Sequence, residues 1–260
     1  MHTSNAHKIR FQDVWQRFRI YRKRGRRLHD IFVRLSTRHI IRRDLEALKG
    51  VTFAVSPGEC LGIIGRNGSG KSTILRLIAR IFPPSSGTVE VRGHVSPLIE
   101  LGAGFHSELT GRENAILAGV ILGFTRREME KKLAPILAFA GIDEFADAPI
   151  RQYSTGMLSR LGFAVATEID PDILLVDEVL AVGDKGFQEK CLERMHNFRR
   201  QGKTMVFVSH NMDDVRSICE RVLLLNDGEL LMDGKPDQVI VRYEELIREL
   251  GPGRPVRKQL

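Results

Sequence analysis

Gly65-Arg66-Asn67-Gly68-Ser69-Gly70-Lys71-Ser72, followed by Thr73, has the spacing G-x-x-x-x-G-K-S. Glycines at these positions let backbone N–H groups turn inward around an anion with no Cβ in the way. The lysine after them can neutralise the β- and γ-phosphates of a nucleotide, and the next hydroxyl can ligate Mg²⁺. Gly65, Asn67, Gly68, Ser69, Gly70, Lys71, Ser72 and Thr73 are therefore the expected phosphate-binding residues. Two other stretches offer chemistry suited to the same ligand. Ile173-Leu174-Leu175-Val176 reads as a buried strand ending in Asp177 and Glu178. Asp177 is expected to hold the metal through water, and Glu178 to polarise the attacking water as general base. Thr204 to His210 reads as another strand, whose terminal His210 is a candidate contact for the γ-phosphate.

Regular elements must bring these groups together, and the local patterns supply them. Cys60-Leu61-Gly62-Ile63-Ile64 is an apolar run suited to a buried parallel strand. From Lys71 the chain places Ile74, Leu75, Leu77, Ile78 and Ile81 at helical spacing, so the glycine loop runs into a helix N-terminus. Lys8 to Val14 alternates as an edge strand, Leu45 to Val55 resumes that pattern, and Thr88 to Val91 is a further strand. Glu108 to Gly123, Thr125 to Gly141 and Leu158 to Thr167 are helical, which predicts a helical subdomain at about 100–165 inserted in an α/β core. Residues 188–201 are helical as well. Arg221 to Asn226 and Glu229 to Met232 flank Asp227-Gly228 as a hairpin, Pro236 to Leu250 is a helix, and 251–260 reads as a flexible tail.

The hydrophobic share of 42% over 260 residues suits one large α/β domain, and the longest nearly apolar stretch, Ala115 to Phe124, is far too short to span a bilayer. Cys60, Cys191 and Cys219 have no ligand-like spacing and are expected to be buried thiols. The net charge of +8 is concentrated in residues 17–43, which hold eleven Lys or Arg against the single acid Asp30. A solvated face, a disordered arm, and a contact with an anionic membrane or ligand are all open readings of that basic insertion. Val14 and Trp15 precede it and Phe18 and Tyr21 lie within it, and a ring here could stack on adenine or simply pack in the core.

Tyr153-Ser154-Thr155-Gly156-Met157 precedes the Asp177-Glu178 strand and resembles the signature motif of ATP-binding-cassette (ABC) ATPases. With the phosphate loop and His210 in matching order, the span from about 8 to 235 is similar to one such cassette. Within that family the chain resembles the ATPase subunits of bacterial polysaccharide exporters for O-antigen, capsule and teichoic acid. Leu101 to His106 with Leu109 to Asn114, Tyr153 to Met157 with Arg160-Leu161, and Asp177 to Asp184 with Phe187-Gln188 carry that likeness.

The resemblance implies a P-loop ABC core in residues 1–250, with the helical subdomain and an antiparallel β edge. It implies a homodimer with ATP and Mg²⁺ between the subunits, in which Ser154, Thr155 and Gly156 of one subunit face the phosphate loop of the other. Asp184 would face the partner subunit, His210 would be the switch histidine, and Phe18 best matches the adenine-stacking aromatic. Such a subunit sits on the cytoplasmic face of the inner membrane, against a transmembrane permease, and moves a lipid-linked polysaccharide. No nucleic-acid partner is implied. The chain departs from the family pattern in having no Gln between the phosphate loop and Gln152, which leaves Glu100 as the nearest candidate for that metal ligand. It also ends at Leu260, with no room for the carbohydrate-binding domain of some exporters. The alternative readings are a soluble cassette acting on RNA or ribosomes, and an importer ATPase.

Overall fold

The computed structural model describes residues 7–22, 41–98, 102, 104–177 and 183–250. Most of the basic segment, Glu100, Glu178 and the tail 251–260 lie outside the described residues. Strands β1 (Ile9–Arg22) and β2 (Ile41–Val55) pair antiparallel, from Ile9 opposite Val55 to Arg22 opposite Ile41. The alternation in the sequence predicts a strand that stops near Val14. Register shifts between Phe11 and Arg17 are the reason for the difference, because each bulge breaks the period-2 pattern while the pairing continues. The hairpin thus extends into the basic segment from both sides.

After β3 (Cys60–Gly65), helix α1 (Lys71–Ile78) leads to β4 (Ser86–Val91), which pairs with the other edge of β1. Helix α1 ends earlier than its apolar spacing predicts. Arg80 takes a left-handed φ of 59°, the N–H of Ile81 bonds back to Arg76 O, and Ile81 is 61% exposed. Next come β5 (Val95–Leu98), α2 (Gly111–Ile121), α3 (Arg126–Ala140) and α4 (Thr155–Glu168). The chain closes with β6 (Ile173–Asp177), α5 (Lys185–Arg200), β7 (Thr204–Val208), α6 (Met212–Ile218), β8 (Arg221–Asn226), β9 (Glu229–Gly234) and α7 (Pro236–Leu250).

The strands form a three-stranded sheet, β2-β1-β4, and a six-stranded sheet, β5-β6-β7-β3-β8-β9. The larger sheet is parallel from β5 to β8, and β9 is antiparallel to β8. Its inner strands are covered on both faces, which is why they read as unbroken apolar runs. Leu61, Ile63, Leu175, Val206 and Leu223 point toward α1 and the small sheet. Ile64, Leu174, Val176, Phe207 and Leu224 point toward α5, α6 and α7.

Helices α2, α3 and α4 share a core of their own, including Met129, Ile136, Leu161 and Val165. Two capping boxes start the first pair: Thr110 with Glu113 for α2, and Thr125 with Glu128 for α3. Asn114 is fully buried in α2. Its side chain accepts from the N–H of His106 at 2.7 Å and donates to the carbonyls of His106, Leu109 and Thr110, so it ties down the loop that precedes the helix.

Candidate nucleotide site

The strand order gathers the sequence-selected groups at one edge of the large sheet. Asp177 lies opposite Val208, and Val208 lies opposite Ile63, so the ends of β6, β7 and β3 are level. Asp177, Ser209, His210 and loop 66–70 therefore stand together at the carboxyl end of the sheet. The topology changes direction here. After β3 the chain crosses to the far edge at β5, works back through β6 and β7, and then places β8 on the other side of β3. A crevice at such a switch point is where parallel α/β sheets bind ligands.

The loop itself has a backbone that only glycine permits at two positions. Gly65 has φ 150°, and a Cβ there would meet Leu225 O at 2.2 Å. Gly70 has φ 107°, and its Cβ would meet Ala47 O at 2.7 Å. The loop is thus wedged between β8 and β2 and leads directly into α1. No side chain caps that helix, and the first-turn N–H groups have no intrahelical acceptor, which suits a bound anion.

Lys71 is 5% exposed, and its Nζ donates to Gly65 O at 2.8 Å and to Arg66 O at 3.0 Å. Ser69 is 2% exposed, and its Oγ has no hydrogen-bond partner among the described residues. A buried hydroxyl left in this way fits a site completed by a polar ligand. Ser72 is exposed and Thr73 half-buried at the helix start, Asp177 is half-buried, and His210 is exposed.

Ser154, Thr155 and Gly156 are placed elsewhere. Ser154 caps α4, its Oγ accepting from the N–H of Met157 at 3.2 Å, so the motif opens a helix as the sequence predicts. These residues line an open cleft of about 550 Å³ with Ser159, Arg160, Gly183 and Asp184, and no phosphate-loop residue lines it. Asp184 caps α5 through the N–H of Phe187 at 3.0 Å. Phe18 lies on β1 with its ring edge-on to Phe82 at 5.5 Å. The sequence marks Asn114 and Phe187 only as part of the family likeness, and the structure gives each a place in this geometry. Asn114 could have been noticed as a polar residue inside the apolar pattern of α2. The surroundings of Phe187 are entirely tertiary.

The ABC transporter family model matches residues 48–181. The O-antigen export system ATP-binding protein RfbB of Klebsiella pneumoniae is 42% identical over 239 residues, covering 91% of this chain and 97% of that protein. The protein of the same name from Myxococcus xanthus is 48% identical over 203 residues, covering 78% of this chain and 46% of its own length. The chain therefore spans less than half of the second relative. A solved dimeric bacterial ABC transporter cassette superposes with a TM-score of 0.68 at 25% identity, over 88% of this chain and 98% of that one. The Klebsiella relative matches over nearly its whole length, the family model covers the loop and the strand of Asp177, and the superposition takes in most of the chain: the chain belongs to the ABC transporter family and is an ATP-hydrolysing cassette.

Proposed function

We propose that this cassette powers export of a lipid-linked polysaccharide through a separate transmembrane subunit, working as a homodimer with two ATP molecules between the subunits. The observation that carries the reading is the 42% identity along 97% of a protein named for O-antigen export. No helix among the described residues is long and apolar enough to cross a membrane. The subunit would lie on the cytoplasmic face of the inner membrane, with the basic residues 17–43 suited to anionic lipid or to the anionic head group of the substrate.

Residues 1–250 would form the working cassette, with the basic insertion at about 17–43 and the helical subdomain at about 100–165. The loop from Gly65 to Thr73, Asn67 included, would cradle the phosphates, with Lys71 released from Gly65 O and Arg66 O to meet them. Ser72 and Asp177 would hold Mg²⁺. The metal would neutralise charge on the β- and γ-phosphates. Glu178 would take the proton of the attacking water and His210 would bond the γ-phosphate. Phe18 would stack on adenine, and Glu100 would take the place of the usual glutamine. Ser154, Thr155 and Gly156 would close on the ATP of the other subunit with a hydroxyl and helix-terminal N–H groups.

The test is made in the native bacterium. Deleting the gene should strip polymer from the cell surface and trap it inside, and the Lys71→Ala allele should fail to restore it. Undiminished surface polymer in the deletion strain would overturn the reading.

A further inference from the structure

The cleft under Ser154 has two walls, the first turn of α4 and the pair Gly183-Asp184, and one side chain joins them. Phe187 is 5% exposed. Its N–H is held by Asp184 Oδ1 at 3.0 Å, and a Cβ on Gly183 would lie 3.3 Å from its own Cβ. Its ring enters the helical unit. It stands edge-on to Phe139 of α3 at 5.6 Å and 71°, and edge-on to Phe163 of α4 at 5.9 Å and 79°. Phe139 and Phe163 stack on each other at 5.9 Å and 16°.

The guanidinium of Arg160, which lines the same cleft, lies 6.0 Å from the centre of the Phe187 ring. At the other end of α4, Arg194 of α5 bonds Glu168 at 3.1 Å and covers Phe139 at 4.6 Å. Phe139 packs against both the helical core and the core beneath α5. Such edge-to-face and cation–π contacts have preferred geometries, so they resist sliding more than a plain aliphatic contact does. Helix α4 is therefore tied to α5 at two places, by Arg160 and Phe163 against Phe187 and by Glu168 against Arg194, with Phe187 the one nearer the cleft.

We propose that Phe187 is a positioning residue that makes the two walls of this cleft move as one. When the N-terminus of α4 closes on a nucleotide held by the partner subunit, the pull reaches Gly183-Asp184 through the Phe187 ring. Gly183-Asp184 and the first turn of α4 would then meet the partner subunit as one surface, in the spacing that Phe187 fixes. The inference rests on the proposed two-ATP dimer.

The experiment compares Phe187→Leu with Phe198→Leu, a matched loss of a ring from the same helix at a site 4% exposed and away from the three-ring junction. Four readouts are taken on the full chain: thermal melting, affinity for a fluorescent ATP analogue, kcat, and ATP-induced dimerisation in a Glu178→Gln background. Phe187→Leu should leave nucleotide affinity within about twofold, lower kcat about tenfold, and raise the ATP concentration for half-dimerisation about tenfold, the size of effect expected from a small misplacement of a reacting group. Phe198→Leu should lower the melting temperature alone. Arg160→Met removes the guanidinium without opening the core and should move kcat and dimerisation in the same direction, which keeps the test alive if Phe187→Leu fails to fold. If Phe187→Leu, or Arg160→Met in its place, matches Phe198→Leu on kcat and dimerisation, the inference is overturned. A Glu178→Gln chain that stays monomeric at saturating ATP would instead overturn the dimer, and this inference with it.

Discussion

Lys71 is tied into the loop that precedes it. An ammonium that is 5% exposed is costly unless it is paired, and two of its contacts are carbonyls of its own loop. A bound triphosphate would offer this ammonium anionic acceptors, which it bonds more strongly than carbonyls. Lys71→Ala should therefore weaken ATP binding roughly 10- to 100-fold, the value of a charged hydrogen bond, in a fluorescent-nucleotide titration. Glu178→Gln should keep binding and lose turnover by roughly 10²–10⁴-fold, and a wild-type rate would refute its role as base. Ser69 gives a third check. Removing its unpartnered Oγ should leave the ligand-free melting temperature unchanged or slightly raised, because no bond is lost. If a phosphate oxygen supplies the missing partner, Ser69→Ala should shrink the rise in melting temperature on adding ATP. An equal rise in both proteins would remove Ser69 from the site.

At the level of elements, the sheet is held to its neighbours by a few charged contacts as well as by its core. Arg221 at the start of β8 donates to Asp233 of β9 at 2.6 and 2.9 Å, to Glu59 at 2.7 Å and to Ala54 O of β2 at 3.0 Å. The bonds to Asp233 and Glu59 hold its guanidinium well above the usual range, so it stays charged at any working pH. Arg221→Met should lower stability by about 3 kcal/mol in urea unfolding, since Glu59, 13% exposed, would lose its charged partner and keep the Ser56 N–H. The helix starts respond to acid. The Thr110 N–H and hydroxyl hold the Glu113 carboxyl below its ordinary pKa, and those of Thr125 do the same for Glu128.

A carboxylate whose folded pKa is depressed contributes stability above the unfolded pKa and loses it as pH falls through the folded one. Asp172 adds to this effect, its carboxyl lowered by the His94 N–H and then by Lys8. Asp214 opposes it, because burial and Asp213 raise its pKa, so protonating Asp214 relieves a cost. The melting temperature should therefore hold from neutral pH to about pH 5 and fall below about pH 4. The Glu113→Gln/Glu128→Gln protein should start lower and fall less steeply. Equal acid limbs would show that the caps contribute nothing.

Both capping boxes stand open in the sequence as T-x-x-E, yet their neighbours show how legibility fails. The inner strands could be read because burial on both faces writes an unbroken apolar run. The strand β5 could not, since four residues including Pro97 carry no pattern of their own and depend on pairing with β6. The seven-residue α6 is too short to show a period. The glycine loop and the start of α1 are local and could be read from spacing, whereas the junction at Phe187 joins residues from α3, α4 and α5 that no local pattern relates.

For the whole molecule, the decisive fact is that two ligand-like surfaces of one chain do not share a cavity. The phosphate loop stands at the end of β3, and the cleft under Ser154 is lined by α4 and Gly183-Asp184 without any loop residue. A two-fold dimer would resolve this by setting each surface against the other's counterpart, since a symmetric pair forms both contacts at once. That arrangement makes a quantitative prediction. Ser154→Arg spoils the capping turn and fills the cleft, and Lys71→Ala spoils the loop, so each protein alone should be inactive. In a mixed dimer, the intact loop of the Ser154→Arg chain meets the intact turn of the Lys71→Ala chain, and the other site contains both lesions. Equal mixing makes half the dimers mixed, each with one working site, so activity should return to about a quarter of the wild-type rate if the sites act independently. A cassette that used both surfaces within one chain would regain nothing on mixing. ATPase rates of the two proteins, measured alone and after co-incubation at the same total concentration, decide between the two arrangements.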